Sequence, residues 1–226
     1  MAGMFAQVQG VLEPAEIAEL TARLATAPFV DGRTTSTGRA AQGKRNLQMQ
    51  PDAPGADELR SIVVNALQRS ERFRRIAIPR AIAAPVFNRY DAGMLYEQHV
   101  DAATMRGGDG LRVDVSMTLF LSDPKSYEGG ELVVETLSGG IGVKLAAGDA
   151  VVYPASTLHR VAPVRSGTRL AAITWIRSVV RDAAQRELLA ELELAMTSLE
   201  SRAPDARSEI DLLRKTHHNL IRMWAD

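Results

Sequence analysis

The sequence predicts an α+β chain with a mainly β core, preceded by helices and followed by a helical hairpin. Helical periodicity in the first 80 residues, seven short β-rich runs in the middle region and a return of the helical period after Arg181 predict this class. With 226 residues, 46% of them hydrophobic and 24% charged, the chain has enough apolar material for one packed domain. We therefore expect helical support and a loop at 1–80, within the same domain as a β-core at 81–180, and a helical extension at 181–226.

Two helices are predicted in the first region. Residues 13–25 place apolar side chains at helical spacing after Pro14, a favourable residue in a first helical turn. A second helix follows Pro54 and carries the apolar stripe Leu59, Ile62, Val63 and Leu67. Residues 31–46 between them combine glycine and threonine with the cations Arg33, Arg39, Lys44 and Arg45. This composition predicts a loop, which is either solvated or a lid that contacts substrate.

The middle and final regions carry different periodicities. Runs such as VDVSMTLFLS, ELVVETL and DAVVYP, separated by glycine-containing turns, favour a β-sandwich or barrel. Two apolar stripes after Arg181, separated by Ala203-Pro204-Asp205, predict a helical hairpin. We expect these stripes to be buried against the β-core or against another subunit, which would give a homo-oligomer. The stripes are Leu188, Leu192, Met196 and Leu199, then Ile210, Leu213, Leu220 and Trp224.

Composition excludes several classes of function. The 27 basic residues balance the 27 acidic ones, so no net charge attracts the protein to nucleic acid or anionic lipid. The absence of cysteine removes disulfides, thiolate metal sites and cysteine nucleophiles, which leaves nitrogen and oxygen ligands for any metal. The sequence has no basic signal-peptide region and no apolar run of about 20 residues. We expect a cytoplasmic protein with no nucleic-acid or membrane partner.

The stretch MLYEQHVDAAT places His99 and Asp101 one residue apart. Residues i and i+2 of a strand project from the same face, so both side chains can point into one cavity. The pair alone also fits a surface histidine beside a solvated aspartate. His159, at the start of a later β-run, adds a second imidazole. Two histidines and one carboxylate are the ligand set of a non-haem iron(II) site with open coordination positions.

Arg169 begins a later β-run, ten residues after His159. Its planar guanidinium matches a carboxylate with two parallel hydrogen bonds, although a strand-edge arginine reaching solvent is the other interpretation. In a hairpin with an even-numbered loop, His159 and Arg169 would face opposite sides. We therefore expect an odd loop or a bulge near Ser166-Gly167 if both reach one cavity.

Several other acidic, aromatic and histidine side chains are not expected to belong to the metal site. Asp91 and Glu97 flank the His-x-Asp pair but have no histidine partner, so we expect them to be solvated. Phe120 and Trp175 on β-runs are expected in the core rather than as stacking platforms. We expect His217 on the last helix to pack against a neighbouring helix or a subunit interface.

These motifs together resemble the iron- and 2-oxoglutarate-dependent hydroxylases of the prolyl and lysyl hydroxylase type, and more closely the bacterial PKHD-type hydroxylases. The resemblance covers nearly the whole chain. It rests on Tyr90-x-x-Gly93-x-x-Tyr96-x-x-His99-x-Asp101, Lys44-Arg45-Asn46, RVDVSMTLFLSDP, Glu128-Gly129-Gly130-Glu131-Leu132, His159 with Arg169, WIRSVVRDAAQRELLAELE and HHNLIRMWAD.

The resemblance implies a double-stranded β-helix, or jelly roll, flanked by helices. It further implies Fe(II) bound by His99, Asp101 and His159, and the co-substrate 2-oxoglutarate anchored by Arg169, with Tyr90 and Thr118 assisting. Ascorbate would keep the iron reduced. The implied reaction couples oxidative decarboxylation of 2-oxoglutarate to succinate with hydroxylation of a C–H bond in an unidentified small-molecule or protein substrate.

The residue pattern alone also allows two other functions. A cupin-like jelly roll could bind a metal or small ligand without oxygenase turnover, although such barrels more often carry His-x-His with a carboxylate and a third histidine. An interaction module acting through the C-terminal helices would leave the His–Asp–His set unexplained.

Overall fold

Two antiparallel β-sheets that face each other form the centre of the protein, and helices cover the outer face of the larger sheet. The computed structural model describes residues 5–36, 38–105 and 110–226, except for the side chain of Arg39. The predicted fold class, with its mainly β core and its terminal helices, is confirmed. Among the described residues, none of the helices combines the length and the apolar character that crossing a membrane requires.

The strands divide into a nine-stranded and a five-stranded sheet. The larger sheet has the order β1-β12-β8-β14-β6-β4-β2, and β5 and β9 also pair with β14. The smaller sheet has the order β11-β10-β13-β7-β3. The strands are β1 (Ala6–Val8), β2 (Phe29–Asp31), β3 (Lys44–Arg45), β4 (Leu47–Met49), β5 (Pro79–Ile82), β6 (Val86–Asp91), β7 (Leu95–His99), β8 (Val115–Phe120), β9 (Tyr127–Gly129), β10 (Leu132–Thr136), β11 (Gly139–Val143), β12 (Ala150–Pro154), β13 (His159–Val161) and β14 (Val164–Ser178).

In the described part of the chain, six α-helices and one 3₁₀ helix accompany the sheets. Pro14 occupies the first turn of the first helix, as the sequence predicts, and Glu13 and Glu16 form a capping box there. Ser70 separates the second predicted helix into two and caps the later one by accepting from the Phe73 amide. The helices are α1 (Pro14–Thr26), α2 (Gly38–Gln42), α3 (Ala56–Arg69), α4 (Glu71–Ala77), α5 (Ala183–Arg202) and α6 (Arg207–Trp224), and the 3₁₀ helix is Gly32–Thr35.

The two faces of the larger sheet have different roles because side chains alternate along each strand. On β8, Met117 and Leu119 pack with the core beneath α1, α3 and α4, whereas Phe120 belongs to a second cluster between the sheets. Every residue of β8 is therefore buried, which explains its nearly continuous apolar sequence. The face that points toward the smaller sheet also carries polar side chains, among them Asn88, Ser116 and Thr118, all buried.

The prediction of a loop at 31–46 is wrong for most of that segment, with Thr37 outside the described residues. The segment contains the end of β2, the 3₁₀ helix, α2 and the short strand β3. Asp31 caps the 3₁₀ helix by accepting from the Arg33 amide at 2.9 Å. β3 pairs with β7 at the edge of the smaller sheet, and this pairing buries Lys44. In the described part of the region 1–80, the four strands β1 to β4 have only two or three residues each. Strands this short show no period in the sequence, so the helical pattern of the region did not predict them.

The C-terminal helices form the predicted hairpin, and α5 also packs against α4. Leu189 and Met196 are buried, whereas Leu188 is 54% exposed, so the predicted stripe on α5 is wrong by one position at its start. The face of α5 that is buried is the one that contacts α4 and α6, and Leu189, not Leu188, lies on that face. An oligomer formed through these helices stays a prediction.

Candidate metal centre and co-substrate pocket

Three candidate ligands meet between the two sheets. His99 ends β7 and His159 begins β13, and the two are direct partners in the antiparallel pairing of those strands. Their ring centres lie 4.3 Å apart. Asp101 follows two residues after His99, and its Oδ2 lies 3.9 Å from His159 Nε2. One potential ligand atom from each residue lies within 4.8 Å of the other two, a separation that one metal ion can bridge.

Hydrogen bonds orient each of these side chains. The Nδ1 atoms of His99 and His159 lie 2.8 Å and 3.0 Å from the backbone carbonyl oxygens of Glu97 and Thr157. These contacts assign the proton to Nδ1 and leave the Nε2 lone pair for a metal, as expected for imidazole ligands. Ser116 Oγ, on the larger sheet, donates to Asp101 Oδ2 at 2.5 Å. Both sheets therefore hold the candidate ligands in place.

A β-bulge aligns Tyr96 with His99. His159 pairs with His99 but Val161 pairs with Tyr96, so β7 contains one residue more than β13 over this interval. Tyr96 and His99 consequently share a face despite their odd separation, and their rings stack with centres 3.6 Å apart. Burial, followed by the proximity of His159, lowers the pKa of His99 to about 4. The imidazole is therefore neutral near pH 7, the form that ligates metals.

Arg169 reaches the same space from the opposite sheet. His159 belongs to the smaller sheet and Arg169 to β14 of the larger one, so the two are not partners in one hairpin. The requirement for an odd-numbered hairpin loop, which assumed that His159 and Arg169 lie in one hairpin, therefore does not apply. A register shift does occur between Val164 and Ser166, where β14 pairs with β9, and Gly167 has a positive φ of 75°. The irregularity lies close to the position that the sequence indicated.

The Arg169 guanidinium is buried without a full set of hydrogen-bond partners. The residue is 1% exposed, and its Nε and Nη2 have no acceptor among the described residues. Its guanidinium carbon lies 5.1 Å from the ring centre of Tyr90 and 5.4 Å from that of Phe120. A buried cation with unused donors is unfavourable unless an anion completes the site. The arrangement suits a carboxylate that accepts two parallel hydrogen bonds.

Tyr90 and Thr118 occupy the inner face near Arg169. Tyr90 is the direct cross-strand partner of Arg169 between β6 and β14. Burial raises the pKa of Tyr90 to about 12, with Arg169 offsetting part of the effect, so its hydroxyl keeps a proton to donate. Thr118 is buried on β8. Burial raises the pKa of Tyr153, and a hydrogen bond with the Thr118 hydroxyl offsets part of that rise. The Tyr153 ring centre lies 5.1 Å from that of His159, and Asp101 raises the pKa of Tyr153 further whereas Arg169 lowers it.

Two adjacent glycines explain the EGGEL motif. Gly129 and Gly130 have φ angles of 71° and 66°, which residues with a Cβ rarely adopt. A Cβ on Gly129 would lie 2.1 Å from the Pro163 carbonyl oxygen. One on Gly130 would lie 2.9 Å from a Val164 methyl carbon and 3.1 Å from Arg169 Cδ. The glycine pair therefore allows the backbone to approach the stem of Arg169 closely.

Sequence reasoning missed several residues around the site. Ser116 lies within the RVDVSMTLFLSDP run, but only the alternation of β8 places it on the inner face. Tyr127 is buried, and Arg169 opposes the rise that burial causes in the pKa of its hydroxyl. Asn46, Gln48 and Asn88 form a buried amide group, in which both Asn46 Nδ2 and Gln48 Nε2 donate to Asn88 Oδ1.

The remaining candidates lie outside the cluster. The Asp91 carboxylate accepts from Arg89 and Thr168 and is partly exposed, whereas Glu97 is exposed. Phe120 is buried, as expected, although it also forms one wall around Arg169, and Trp175 is half-buried. His217 lines a cleft of about 380 Å³ between α4, α5 and α6, in agreement with a helix-packing position.

The comparisons identify the class of protein. A family model described as the 2OG-Fe(II) oxygenase superfamily matches residues 85–177, and one described as the PKHD-type hydroxylase C-terminal domain matches residues 183–226. Among solved structures, a prolyl-4-hydroxylase from Pseudomonas putida has a TM-score of 0.53 and 21% identity, covering 78% of this chain and 93% of its own. HygX from Streptomyces hygroscopicus, solved with nickel and 2-oxoglutarate bound, has a TM-score of 0.57 and 14% identity, covering 78% and 84%. These likenesses show the fold.

A full-length relative narrows the class to one family. The PKHD-type hydroxylase xcc-b100_1388 of Xanthomonas campestris is 46% identical over 228 aligned positions, which cover 99% of this chain and all of that protein. The chain belongs to the PKHD-type hydroxylase family. It is accordingly an oxidoreductase of the dioxygenase class.

Proposed function

We propose that the protein is an Fe(II)- and 2-oxoglutarate-dependent hydroxylase that couples oxidation of 2-oxoglutarate to succinate and carbon dioxide with hydroxylation of a C–H bond. His99, Asp101 and His159 would hold the metal, and Arg169 would anchor the distal carboxylate of the co-substrate. The single observation that carries the proposal is the buried Arg169 guanidinium, with Nε and Nη2 unpartnered among the described residues, on the sheet opposite the strands that carry His99 and His159.

The donor set fits iron(II). Two neutral imidazoles and one carboxylate in a chain without cysteine are the ligands of mononuclear non-haem iron oxygenases. Three protein ligands leave three positions on an octahedral ion for a chelating co-substrate and dioxygen. When bound, the iron would supply activation of dioxygen and the oxidising power that C–H hydroxylation needs.

The protein side chains would position the reactants and exclude water. Arg169 would hold one end of 2-oxoglutarate through charge-assisted hydrogen bonds. Tyr90, whose raised pKa keeps it protonated, would donate to the same carboxylate, and Thr118 would contribute a hydroxyl from the neighbouring strand. The aromatic rings of Tyr90 and Phe120 lie beside the guanidinium and limit its access to solvent. Ser116 would keep the Asp101 carboxylate in its ligating orientation.

Ascorbate would support turnover by returning oxidised iron to the ferrous state. This role is carried over from the family resemblance as part of the proposal and needs no dedicated residue. The other reading, a cupin-like protein that binds a metal without oxygenase turnover, gives no function to the unpartnered donors of Arg169.

Anaerobic binding experiments separate these two functions. Fe(II)-loaded protein should bind one equivalent of 2-oxoglutarate, and the bound 2-oxo acid should give the visible charge-transfer absorption of an Fe(II) chelate. The same band should be absent when glutarate, which lacks the 2-oxo group, replaces the co-substrate. Metal binding without any 2-oxoglutarate binding would contradict the proposal and favour the cupin-like alternative.

A further inference from the structure

Lys44 is a buried cation close to the candidate metal centre. It lies on the edge strand β3 and pairs directly with Tyr96 of β7. Its ammonium nitrogen lies 5.3 Å from the centre of the Tyr96 ring, and that ring stacks on His99. One aromatic side chain therefore separates Lys44 from a candidate metal ligand. None of the roles assigned to the co-substrate pocket involves this lysine.

The partners of Lys44 are neutral. Its Nζ donates to Thr35 Oγ1 at 2.9 Å and to Ser36 Oγ at 3.2 Å. Among the described residues, no carboxylate oxygen lies within the 4.0 Å of an ion pair with Nζ. An ammonium group has three donors, so at least one is left for another acceptor. The residue is only 4% exposed, which leaves little water to serve as that acceptor.

Burial of this charge has an energetic cost that the surrounding protein side chains offset only in part. Desolvation lowers the pKa of Lys44 to about 8, and the more distant carboxylates of Asp101 and Asp31 oppose that shift only in part. A lysine that served only to fill space could be replaced by an apolar residue without this cost. An anion bound beside the ammonium would offset the cost and raise the pKa toward its usual value.

A hydrogen-bonded chain holds the lysine in place. Thr35 Oγ1 accepts from Lys44 and donates to Gln48 Oε1 at 2.7 Å. Gln48 Nε2 in turn donates to Asn88 Oδ1 at 2.9 Å, and Asn88 lies two residues from Tyr90 on β6. These groups connect the ammonium to the region of the co-substrate pocket. A fixed orientation of this kind is typical of a recognition site rather than of a solvated surface lysine.

Lys44 and Arg169 lie on opposite sheets, on β3 and β14 respectively. Under the proposed function, on which this inference rests, both carboxylates of 2-oxoglutarate already have partners, one at the metal and one at Arg169. An anion bound beside Lys44 would therefore have to come from the other reactant.

We propose that Lys44 anchors a carboxylate group of the molecule that is hydroxylated, with Thr35 and Ser36 orienting the ammonium. The substrate class is then a carboxylic acid, such as an amino acid derivative or the C-terminus of a peptide, whose C–H bond is brought to the metal by this contact. Lys44 determines specificity, because an uncharged analogue of the same shape would leave its ammonium unpaired.

The probe is a panel of N-acetylated amino acids, each as the free acid and as the matched carboxamide. Binding is measured anaerobically on Fe(II)-loaded protein saturated with 2-oxoglutarate, through the perturbation of its charge-transfer absorption. Acids that bind should do so about 10- to 100-fold more tightly than their amides, the range expected for a charge-assisted hydrogen bond in a buried site.

Lys44→Met, which keeps the apolar stem without the charge, should remove the preference for acids. Arg45→Gln is the matched control, since Arg45 is exposed on the same strand and carries the same charge. That variant should keep the full preference. Metal content and circular dichroism identify a variant that has failed to fold, and Lys44→Gln then provides a second neutral substitution.

The proposal is wrong if no acid in the panel binds more tightly than its amide, or if Lys44→Met keeps the wild-type preference. Failure of the proposed function has a different signature, because the wild-type protein would then bind no 2-oxoglutarate at all. The two failures are therefore distinguishable in one set of titrations.

Discussion

Arg169 and Tyr90 are direct cross-strand partners, and the guanidinium carbon lies 5.1 Å from the centre of the tyrosine ring. Both side chains are buried on the face of the larger sheet that points toward the smaller one. The cation thus lies against an aromatic face while two of its nitrogen atoms, Nε and Nη2, have no acceptor among the described residues. The pairing holds the arginine ready to bind a carboxylate.

Replacing Arg169 should weaken co-substrate binding far more than metal binding. Loss of charge-assisted hydrogen bonds, at about 1.5–3 kcal/mol, predicts a roughly 10- to 150-fold higher Kd for 2-oxoglutarate in Arg169→Ala. Arg169→Lys should recover only part of the affinity, because an ammonium lacks the two-pronged geometry. Titration of Fe(II)-loaded protein measures both quantities. Unchanged 2-oxoglutarate affinity in a folded Arg169→Ala variant would remove the arginine from the pocket.

A methyl group on Gly130 should disturb the same pocket indirectly. The added Cβ would meet Arg169 Cδ and a Val164 methyl group, at a φ that alanine adopts with strain. We expect Gly130→Ala to raise the KM for 2-oxoglutarate several-fold and to lower the Tm. Gly142→Ala is the control, since its Cβ would meet no atom closer than 3.8 Å. Equal KM values in the two variants would mean that the glycine pair does not influence Arg169.

Ser116 should influence metal affinity although it is not a ligand candidate. Its hydroxyl fixes the Asp101 carboxylate, and removal of such a supporting hydrogen bond typically costs 10- to 100-fold in metal affinity. We expect a loss of this order in Ser116→Ala and complete loss of iron retention in Asp101→Ala. Competition with a chelator of known affinity measures both. The exposed Ser138 provides a control substitution to alanine, and equal affinities in Ser116→Ala and Ser138→Ala would contradict the supporting role.

Truncation after Val180 should destabilise the whole domain. The final residues return to the body of the protein, where Ala225 bridges to Val180 and Asp226 pairs with Arg112 at 2.8 Å. Removing α5 and α6 would also expose the surface of α4 that α5 covers. We expect an aggregating or poorly folded product, measured by size-exclusion chromatography and thermal unfolding. The substitution Asp226→Ala should lower the Tm far less than the truncation does, since the Asp226 carboxylate is exposed to solvent. A soluble, active truncated protein would show that the helices are dispensable.

The predictions that held depend on local patterns. The β-rich runs of the middle region are long enough to show their alternation, and they predicted the mainly β core. His99 ends β7, so Asp101 lies beyond the strand whose period was expected to place both side chains on one face. Lys44 was harder to interpret, because its burial depends on pairing between a two-residue strand and Tyr96, 52 positions later. Likewise, the bulge that aligns Tyr96 with His99 depends on register against β13, which no short stretch of sequence encodes. Long-range pairing explains each of these differences.

The most direct test of the proposed oxygenase function is aerobic formation of succinate from 2-oxoglutarate. Purified protein with Fe(II) and ascorbate should release succinate in a dioxygen-dependent reaction, and a carboxylic acid substrate should increase the rate and gain the mass of one oxygen atom. Asp101→Ala should produce none above the background of free iron. Succinate formation by Asp101→Ala at the wild-type rate, or no succinate from wild-type protein that retains iron and 2-oxoglutarate, would contradict the account.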